Sequence, residues 1–526
     1  MPARQANPAC RSGDEDGERG DARCRDSTRA EGIATILAVT AGSAPVLVGA
    51  SALAETHESA GDARHSAELL VSAALAAIDD SGSPGLARLV DEVLVTRGLS
   101  MLADGAGRIA AALGAPAAAA VAYEPGIPQQ TPINRAIRAV QSGAARAVLV
   151  AGAEAKRSDD LARRAGADRP QPEAFDGEAD QLVAPTGEIV ARAEIAAGAV
   201  SPVMQYAMID NARRAAAGWS TDRHRDDIAS LWAGFNVVAR ANPDAAFAAP
   251  MTAAEIRDPS PGNRLLAFPY NKWHSTQWSV DQAAAFVVTS TEIADELGIE
   301  TERRVFPWVG LESSHQASLS RRAQLHRWPA MAVLGEAAER HIGRGLRTLE
   351  HAELYSCFPA AVRVQQAELG LDPQGPATIT GGMAFAGGPF NSFVFQATAA
   401  MVQRLRAQPG AFGMVTAVSG FLTKPGLSVW STVEPDRPLL VGDLAGQAAA
   451  ATETVEVDPD ASGEGVVASY TVVPVDGDPL RVIAIVDLDD GGRAVASADA
   501  PGLAAQGMLE ELIGARVRVE AQSLLP

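Results

Sequence analysis

Cys357 stands in “ELYSCFPAAV”, residues 353–362, and is the only cysteine after Cys24. A lone thiol can act as a nucleophile or an acid/base, or it can fill a core as a small apolar group. Three other stretches gather useful chemistry. “TITGGMAFAGGPFNSFVFQA” (378–397) sets Gly381, Gly382, Gly387 and Gly388 ahead of a helical run. There, backbone N–H groups can meet an anion or oxyanion, or the glycines can serve packing alone. “FPYNKWHSTQWSVDQ” (268–282) is a polar and aromatic loop holding His274 and Gln277. “RRAQLHRWPA” (321–330) gathers Arg321, Arg322, His326 and Arg327, either as a local anion site or as a solvated face.

Several chemistries are excluded by spacing. The glycines form no Gly-x-Gly-x-x-Gly and precede no Gly-Lys-Ser/Thr, so neither nucleotide fingerprint is met. No Gly-x-Ser-x-Gly elbow, His-Glu-x-x-His or Cys-x-x-Cys occurs, and no metal site is expected.

The elements that position these residues follow from hydrophobic periodicity. At 526 residues and 47% hydrophobic, the chain suffices for about three domains with a large core. A net charge of -20 argues against nucleic acid as a main partner and speaks to solubility. Sparse cysteine, with no disulfide framework, fits a reducing, cytoplasmic compartment. Residues 1–28 are charged and aperiodic and are expected to be disordered. The uncharged run 33–54 is long enough for a membrane span, but Gly42 to Pro45 break it, and buried strands are expected instead.

From Pro45, strand-like and helix-like runs alternate: “PVLVGAS”, “SAELLVSAALAAIDDSG”, “VDEVLVTR”, “GAGRIAAALG”, “AAAAVAY”, “TPINRAIRAVQSGAA” and “RAVLVAGAEA”. Such alternation predicts βαβ units. A charged region, 156–270, reads as an insertion. A second α/β half of the same rhythm follows, with “ATITGG” as one of its strands and its end near 426. Beyond it, short alternating segments, “TVEVD” among them, with Asp-Gly and Gly-Gly turns predict a small all-β barrel over 427–526.

The two halves, the insertion and the strings “LYSCF”, “TITGGMAFAGGP” and “MVTAVSGFLTKPG” resemble the thiolase superfamily. The likeness is to acetyl-CoA acetyltransferase-like proteins related to the sterol-carrier-protein thiolases, of the actinobacterial type with an additional C-terminal domain. It implies an α/β thiolase fold of two repeated halves in five αβαβα layers, with an N-terminal half over 29–298, a C-terminal half over 299–426 and the OB-like barrel after it. It also implies an acyl-CoA thioester as substrate, no bound cofactor, and either a homodimer or a small β-domain protein as partner.

Active members of that superfamily carry the acyl group on a cysteine near a helix start. The corresponding stretch here, “EPGIPQQTPIN”, has no cysteine around Gly126 or Ile127. Where a Gly-His-Pro motif would stand there is Gly387-Gly388-Pro389, and where a Cys-x-Gly would stand there is Val418-Ser419-Gly420. By resemblance, Cys357 and Tyr355 are the catalytic candidates. Gly381, Gly382, Gly387, Gly388, Asn391 and Gly420 form the oxyanion and substrate loop, and His274, Gln277, Arg321, Arg322 and His326 are acyl-CoA contacts. Two functions follow: an acyl-CoA-dependent transferase of lipid metabolism without an acyl-cysteine, or a non-catalytic acyl-CoA-binding scaffold that docks a partner through the barrel.

Overall fold

The computed structural model describes residues 36–37, 44–175, 177–474 and 480–525. Expectations for residues 1–28, and for most of 33–43, lie outside the described residues. Among the described residues no helix is long and apolar enough to cross a membrane; Ile36–Leu37 and Pro45–Glu55 are strands.

Two six-stranded mixed sheets form the body. In the first, Pro45–Glu55 runs antiparallel to Asp281–Ser290, which runs antiparallel to Ala147–Ala155, which is parallel to Val90–Thr96. The second repeats this order with Phe306–Glu312, Lys424–Ser431, Phe412–Ser419 and His351–Glu353. The pseudo-repeat read from the rhythm of the chain is therefore a repeat of topology. Ala119–Tyr123 and Gln181–Val183 extend the first sheet; Leu439–Asp443 and Ile36–Leu37 extend the second.

Helices Gln130–Gln141 and Phe393–Ala407 each contact strands of both sheets and make the middle layer. Their sequences explain that place. Phe393–Ala407 is apolar around most of its circumference, burying Phe393, Val394, Phe395, Ala397, Met401 and Leu405, as a helix between two sheets must. Gln130–Gln141 buries polar Asn134, whose amide donates to Glu312 at 3.0 Å, while Thr131 donates to the same carboxylate. A buried carboxylate satisfied by two donors ties this helix to the second sheet. Ser66–Asp80 covers the outer face of the first sheet and Pro329–Ile342 that of the second, giving five layers.

Three sequence expectations change. The second half does not end at 426, because Lys424–Ser431 and Leu439–Asp443 are strands of its sheet. “TITGG” is not a strand: the N–H groups of Ile379 and Thr380 donate to the buried Glu353 carboxylate at 2.7 and 2.9 Å, and so are withdrawn from any sheet ladder. “TVEVD” contributes only isolated bridges.

The C-terminal strands, Gly463–Pro474, Leu480–Leu488, Arg493–Asp499, Arg516–Glu520 and Ser523–Leu525, close into a barrel flanked by helix Pro501–Leu509. The barrel is bolted to helix Pro202–Ala216 of the insertion. Arg214 is fully buried and donates to the Tyr470 hydroxyl at 3.0 Å and to Glu511 at 2.8 Å. The Asn211 amide donates to the carbonyls of Phe268 and Tyr470, and the Ser469 hydroxyl to the Met208 carbonyl at 2.6 Å.

One buried acid of the first sheet gives a stability prediction. Among the described residues both oxygens of Glu154 accept only the Leu99 N–H, at 3.0 and 3.3 Å, and a Cβ on Gly98 would lie 2.2 Å from one of them. Burial pushes this carboxyl up to about 7. Because the folded pKa exceeds the unfolded one, its stabilising share is full below the unfolded value and is lost as pH rises through about 7. Glu154→Gln is expected to unfold like wild type at pH 4.5 and to be more stable by up to about 3 kcal/mol at pH 8, as read by urea denaturation.

Candidate acyl site

A cavity of about 700 Å³ lies where both halves and the insertion meet. Its walls are the loop 125–129 ahead of helix Gln130–Gln141, the first turns of Pro202–Ala216, the loop 275–278, the segment 355–358, the segment 388–391 and the turn 418–421. Exposed Trp278 and Phe390 stand at its rim.

Cys357 and Tyr355 both line this cavity. Their segment is fixed by the sequence around it. Phe358 is extended, as a residue before proline prefers, and Pro359 opens helix Pro359–Glu368 at a position that needs no N–H. The Thr276 N–H and hydroxyl both donate to the Cys357 carbonyl, at 3.0 and 3.1 Å, and the Tyr355 N–H donates to Thr416 at 2.8 Å. The Ser356 hydroxyl accepts the Met383 N–H at 3.0 Å. Held on several sides, the segment presents its side chains from a fixed backbone.

Burial pushes the Cys357 thiol up to about 12, although a hydrogen bond with the Tyr206 hydroxyl works the other way. Tyr206 itself lies well above the usual phenol range, mainly through burial. Its ring stacks on Phe358 at 4.7 Å. Burial likewise raises Tyr355, whose hydroxyl is bonded by Gln129. Gln129 precedes the middle-layer helix, and its side-chain oxygen accepts the Val394 N–H at 2.8 Å. The side chain closest to the start of that helix is therefore an amide engaged with Tyr355, and it lies two to three residues beyond Gly126 and Ile127.

The other sequence candidates divide. Gly388, Asn391 and Gly420 line the cavity. Gly388 donates its N–H to the Gln277 carbonyl at 3.0 Å, and Asn391 donates its amide to the Arg97 carbonyl at 3.0 Å. Gly381 and Gly382 do not line it; their N–H groups donate to Thr378 and Thr380. Gly381 has φ 99°, and a Cβ there would meet the backbone of Ala239 at 2.4 Å, so its smallness serves packing. Gly387 lines a separate cavity of about 880 Å³ beside the strand Pro45–Glu55, which contains neither Cys357 nor Tyr355.

None of the five acyl-CoA candidates lines the 700 Å³ cavity. His274 is buried, pushed down to about 3 by that burial, and its ring accepts the Asn271 N–H at 3.1 Å. The Gln277 amide donates to the carbonyls of Lys272 and Ser275. Their neighbours Ser275, Thr276 and Trp278 face the cavity instead. Arg321 is exposed 3.8 Å from Glu456, and His326 is half-buried with its pKa lowered by burial. Arg322 is buried and donates to the Phe421 carbonyl. Sequence reasoning missed Tyr206 and Gln129, because a tyrosine in an apolar helix and a glutamine before a proline-containing one carry no spacing signal. Among the described residues no group of His, Cys, Asp and Glu is arranged to hold a metal ion.

A family model described as the thiolase-like protein type 1 additional C-terminal domain matches residues 446–523. No curated protein matches the chain. Among solved structures, a monomeric SCP2-thiolase-like protein type 1 from Mycobacterium smegmatis is 28% identical, over 92% of this chain and 99% of that one, with a TM-score of 0.77. An Ltp2–ChsH2(DUF35) aldolase is 20% identical over 74% of this chain and 98% of that one, with a TM-score of 0.54. The Acat5 thiolase from Ascaris suum, in complex with coenzyme A, is 16% identical over 74% and 100%, with a TM-score of 0.50.

Proposed function

We propose that this chain, which belongs to the thiolase superfamily and carries the additional C-terminal domain of type 1 thiolase-like proteins, binds acyl-CoA thioesters in its 700 Å³ cavity and breaks or makes a carbon–carbon bond there without an acyl-cysteine. The observation that carries this reading is the pairing of a Cys357 thiol, protonated at neutral pH, with the Tyr206 hydroxyl, in a cavity that Gln129 lines from the helix start. A thiol of that kind is a poor nucleophile and a serviceable proton donor.

The step is direct. The sulfur of CoA attacks the 3-oxo carbon of a bound 3-oxoacyl-CoA, and the tetrahedral adduct collapses with cleavage of the C2–C3 bond. The electron pair passes to the thioester as an enolate, and Cys357 delivers its proton to C2. The thiolate regains a proton from the attacking CoA thiol through solvent or Tyr206, so the net proton lost by CoA appears on C2. The coenzyme A complex of the Ascaris thiolase and the aldolase activity described for the Ltp2 assembly support a CoA ligand and carbon–carbon chemistry on this fold.

The barrel is part of the same chain and holds helix Pro202–Ala216, which carries Tyr206. We assign it the supporting place that a separate β-domain partner would otherwise fill, in a chain that acts as a monomer like the Mycobacterium relative. The second reading, a non-catalytic acyl-CoA-binding protein, is favoured by the amide at the helix start.

Calorimetry tests the shared premise. Acetyl-CoA is expected to bind wild type and to lose at least about tenfold in affinity in Val203→Trp, which fills the cavity from its first-turn wall. Equal binding by both proteins places the ligand elsewhere and removes the proposal.

A further inference from the structure

The strand Pro45–Glu55 is an edge of the first sheet and pairs with Asp281–Ser290 on one side only. The first part of its outer edge is covered. Leu47 exchanges both backbone bonds with Val305 at 2.9 Å, the Val48 carbonyl accepts Arg406 at 3.0 Å, and the Ala50 N–H donates to Asp80 at 2.8 Å. The register is regular from Gly49 to Glu55, so backbone directions alternate there. Since the Ala50 N–H points outward, the N–H and C=O groups of Ala52 and Ala54 point outward too. Among the described residues none of these four groups has a partner.

A bare edge is a template for another strand. This one is recessed. Ala50, Ala52 and Ala54 line the 880 Å³ cavity, and the other walls come from helix Phe393–Ala407 and from the end of helix Thr221–Ala239 with the segment after it. A second copy would bring its own walls with the same strand and collide, so the recess suits one strand and not a second sheet. Further bonding capacity lines the same cavity. Gln282 is 6% exposed and its Oε1 has no partner among the described residues; neither amide atom of Gln396 has one. Asp244 lies at the Ala54 end, where the Gln282 opposite Ala54 donates to the Asp244 carbonyl at 3.4 Å. Its carboxylate is exposed and, among the described residues, no cation pairs with it. Exposed Val237 adds an apolar surface on the rim.

We infer that this cavity takes an extended peptide segment of another protein, added as a strand to the edge Ala50–Ala54, with a basic side chain at the Asp244 end. Backbone bonds to Ala52 and Ala54 hold it, and the two glutamines meet its side chains. The open edge spans about 13 Å, the length of a five-residue strand. A net charge of -20 on the chain favours a cationic segment over an acidic one. The inference is independent of what fills the 700 Å³ cavity.

Calorimetry with the probe acetyl-Thr-Val-Lys-Val-Thr-amide tests it on the full chain. The probe is expected to bind wild type, and to lose at least about tenfold in Ala52→Pro, which removes one outward N–H without touching the ladder. On wild type, two versions of the probe N-methylated at alternate residues in opposite phase separate strand pairing from simple filling. One phase is expected to lose about tenfold and the other to bind like the parent, because only one set of N–H groups faces the edge. Replacing the probe lysine by glutamate is expected to weaken binding about threefold. No binding at 1 mM probe, or equal affinity for both methylated versions, overturns the inference. So does a glutamate probe that binds better than the lysine one, or a dimer of the chain that Ala52→Pro abolishes. The methylated pair decides the matter whether or not the proline variant folds.

Discussion

Cys357→Ala is expected to lower the rate of acetyl-CoA release from a 3-oxoacyl-CoA and CoA by about 10²- to 10⁴-fold, the range of a lost general acid, while calorimetry still registers the thioester. The size follows from placement. The thiol lines the cavity, its segment is fixed by Thr276 at the Cys357 carbonyl, and it bonds the Tyr206 hydroxyl, so it is the group held in place to deliver the proton. Its raised pKa gives a second readout. Alkylation by iodoacetamide requires the thiolate, so the rate in the free protein is expected to rise about tenfold per pH unit from 7 to 10 without levelling. Tyr206→Phe removes the bond that opposes the rise, and is expected to slow alkylation further at every pH in that range. A plateau near pH 8 in wild type would show an ordinary exposed thiol and remove Cys357 from the acid role.

Asp210→Ala is expected to be the most destabilising single change near the site, at about 3–5 kcal/mol, the usual cost of leaving a buried charge unpaired. Asp210 is fully buried on helix Pro202–Ala216. It accepts the Tyr270 hydroxyl at 2.6 Å and Arg213 at 2.8 Å, and His224 lies 3.0 Å away. Tyr270 in turn accepts the Ala360 N–H in the first turn of helix Pro359–Glu368, the turn that follows Cys357. Burial alone would raise this carboxyl; His224 and Arg213 outweigh it and hold it well below the usual carboxylate range. A depressed folded pKa contributes stability that is present above the unfolded value, near 4, and is lost as pH falls below it. Urea denaturation at pH 7 should therefore show the full deficit of the variant, and the deficit should shrink steadily below pH 4. A variant within about 1 kcal/mol of wild type at pH 7 would mean that the network contributes specificity rather than stability.

How far the sequence reaches is clearest at the strands and loops themselves. Alternating apolar runs placed the strands of the first sheet, because strands covered on both faces read as continuous Val, Leu and Ala. The same rule misplaced the end of the second half. “KPGLSVWS” follows a glycine turn and resembles a hairpin of the barrel, yet it is the antiparallel return strand of the second sheet, with every residue buried. “TITGG” has β-branched residues, and only the approach of Glu353 from a distant strand decides that its N–H groups bond a carboxylate.

At the site, the segment with Cys357 and Tyr355 was reached through the resemblance to the thiolase superfamily, since the local pattern alone also fits a thiol in a core, whereas its partners were not reached. Tyr206 and Gln129 reach the cavity from an insertion helix and from the loop before the middle-layer helix, contacts that exist only once both halves have packed. In “KWHSTQW” the loop was recognisable, but which side chains face inward depends on backbone bonds such as that from the Gln277 amide to Lys272. Composition could not show that His274 turns into the core while Ser275 and Thr276 face the cavity.

The central claim is that an acyl-CoA lies in the 700 Å³ cavity with its reacting carbons at Cys357 and nothing covalently attached. A crystal structure of the protein soaked with a non-cleavable 3-oxoacyl-CoA analogue tests it most directly. The account predicts C2 of the analogue within about 3.5 Å of the Cys357 sulfur, continuous density for an intact ligand, and Tyr206 still on the sulfur. Ligand density in the 880 Å³ cavity beside Pro45–Glu55, or an acyl group bonded to any protein side chain, would contradict it.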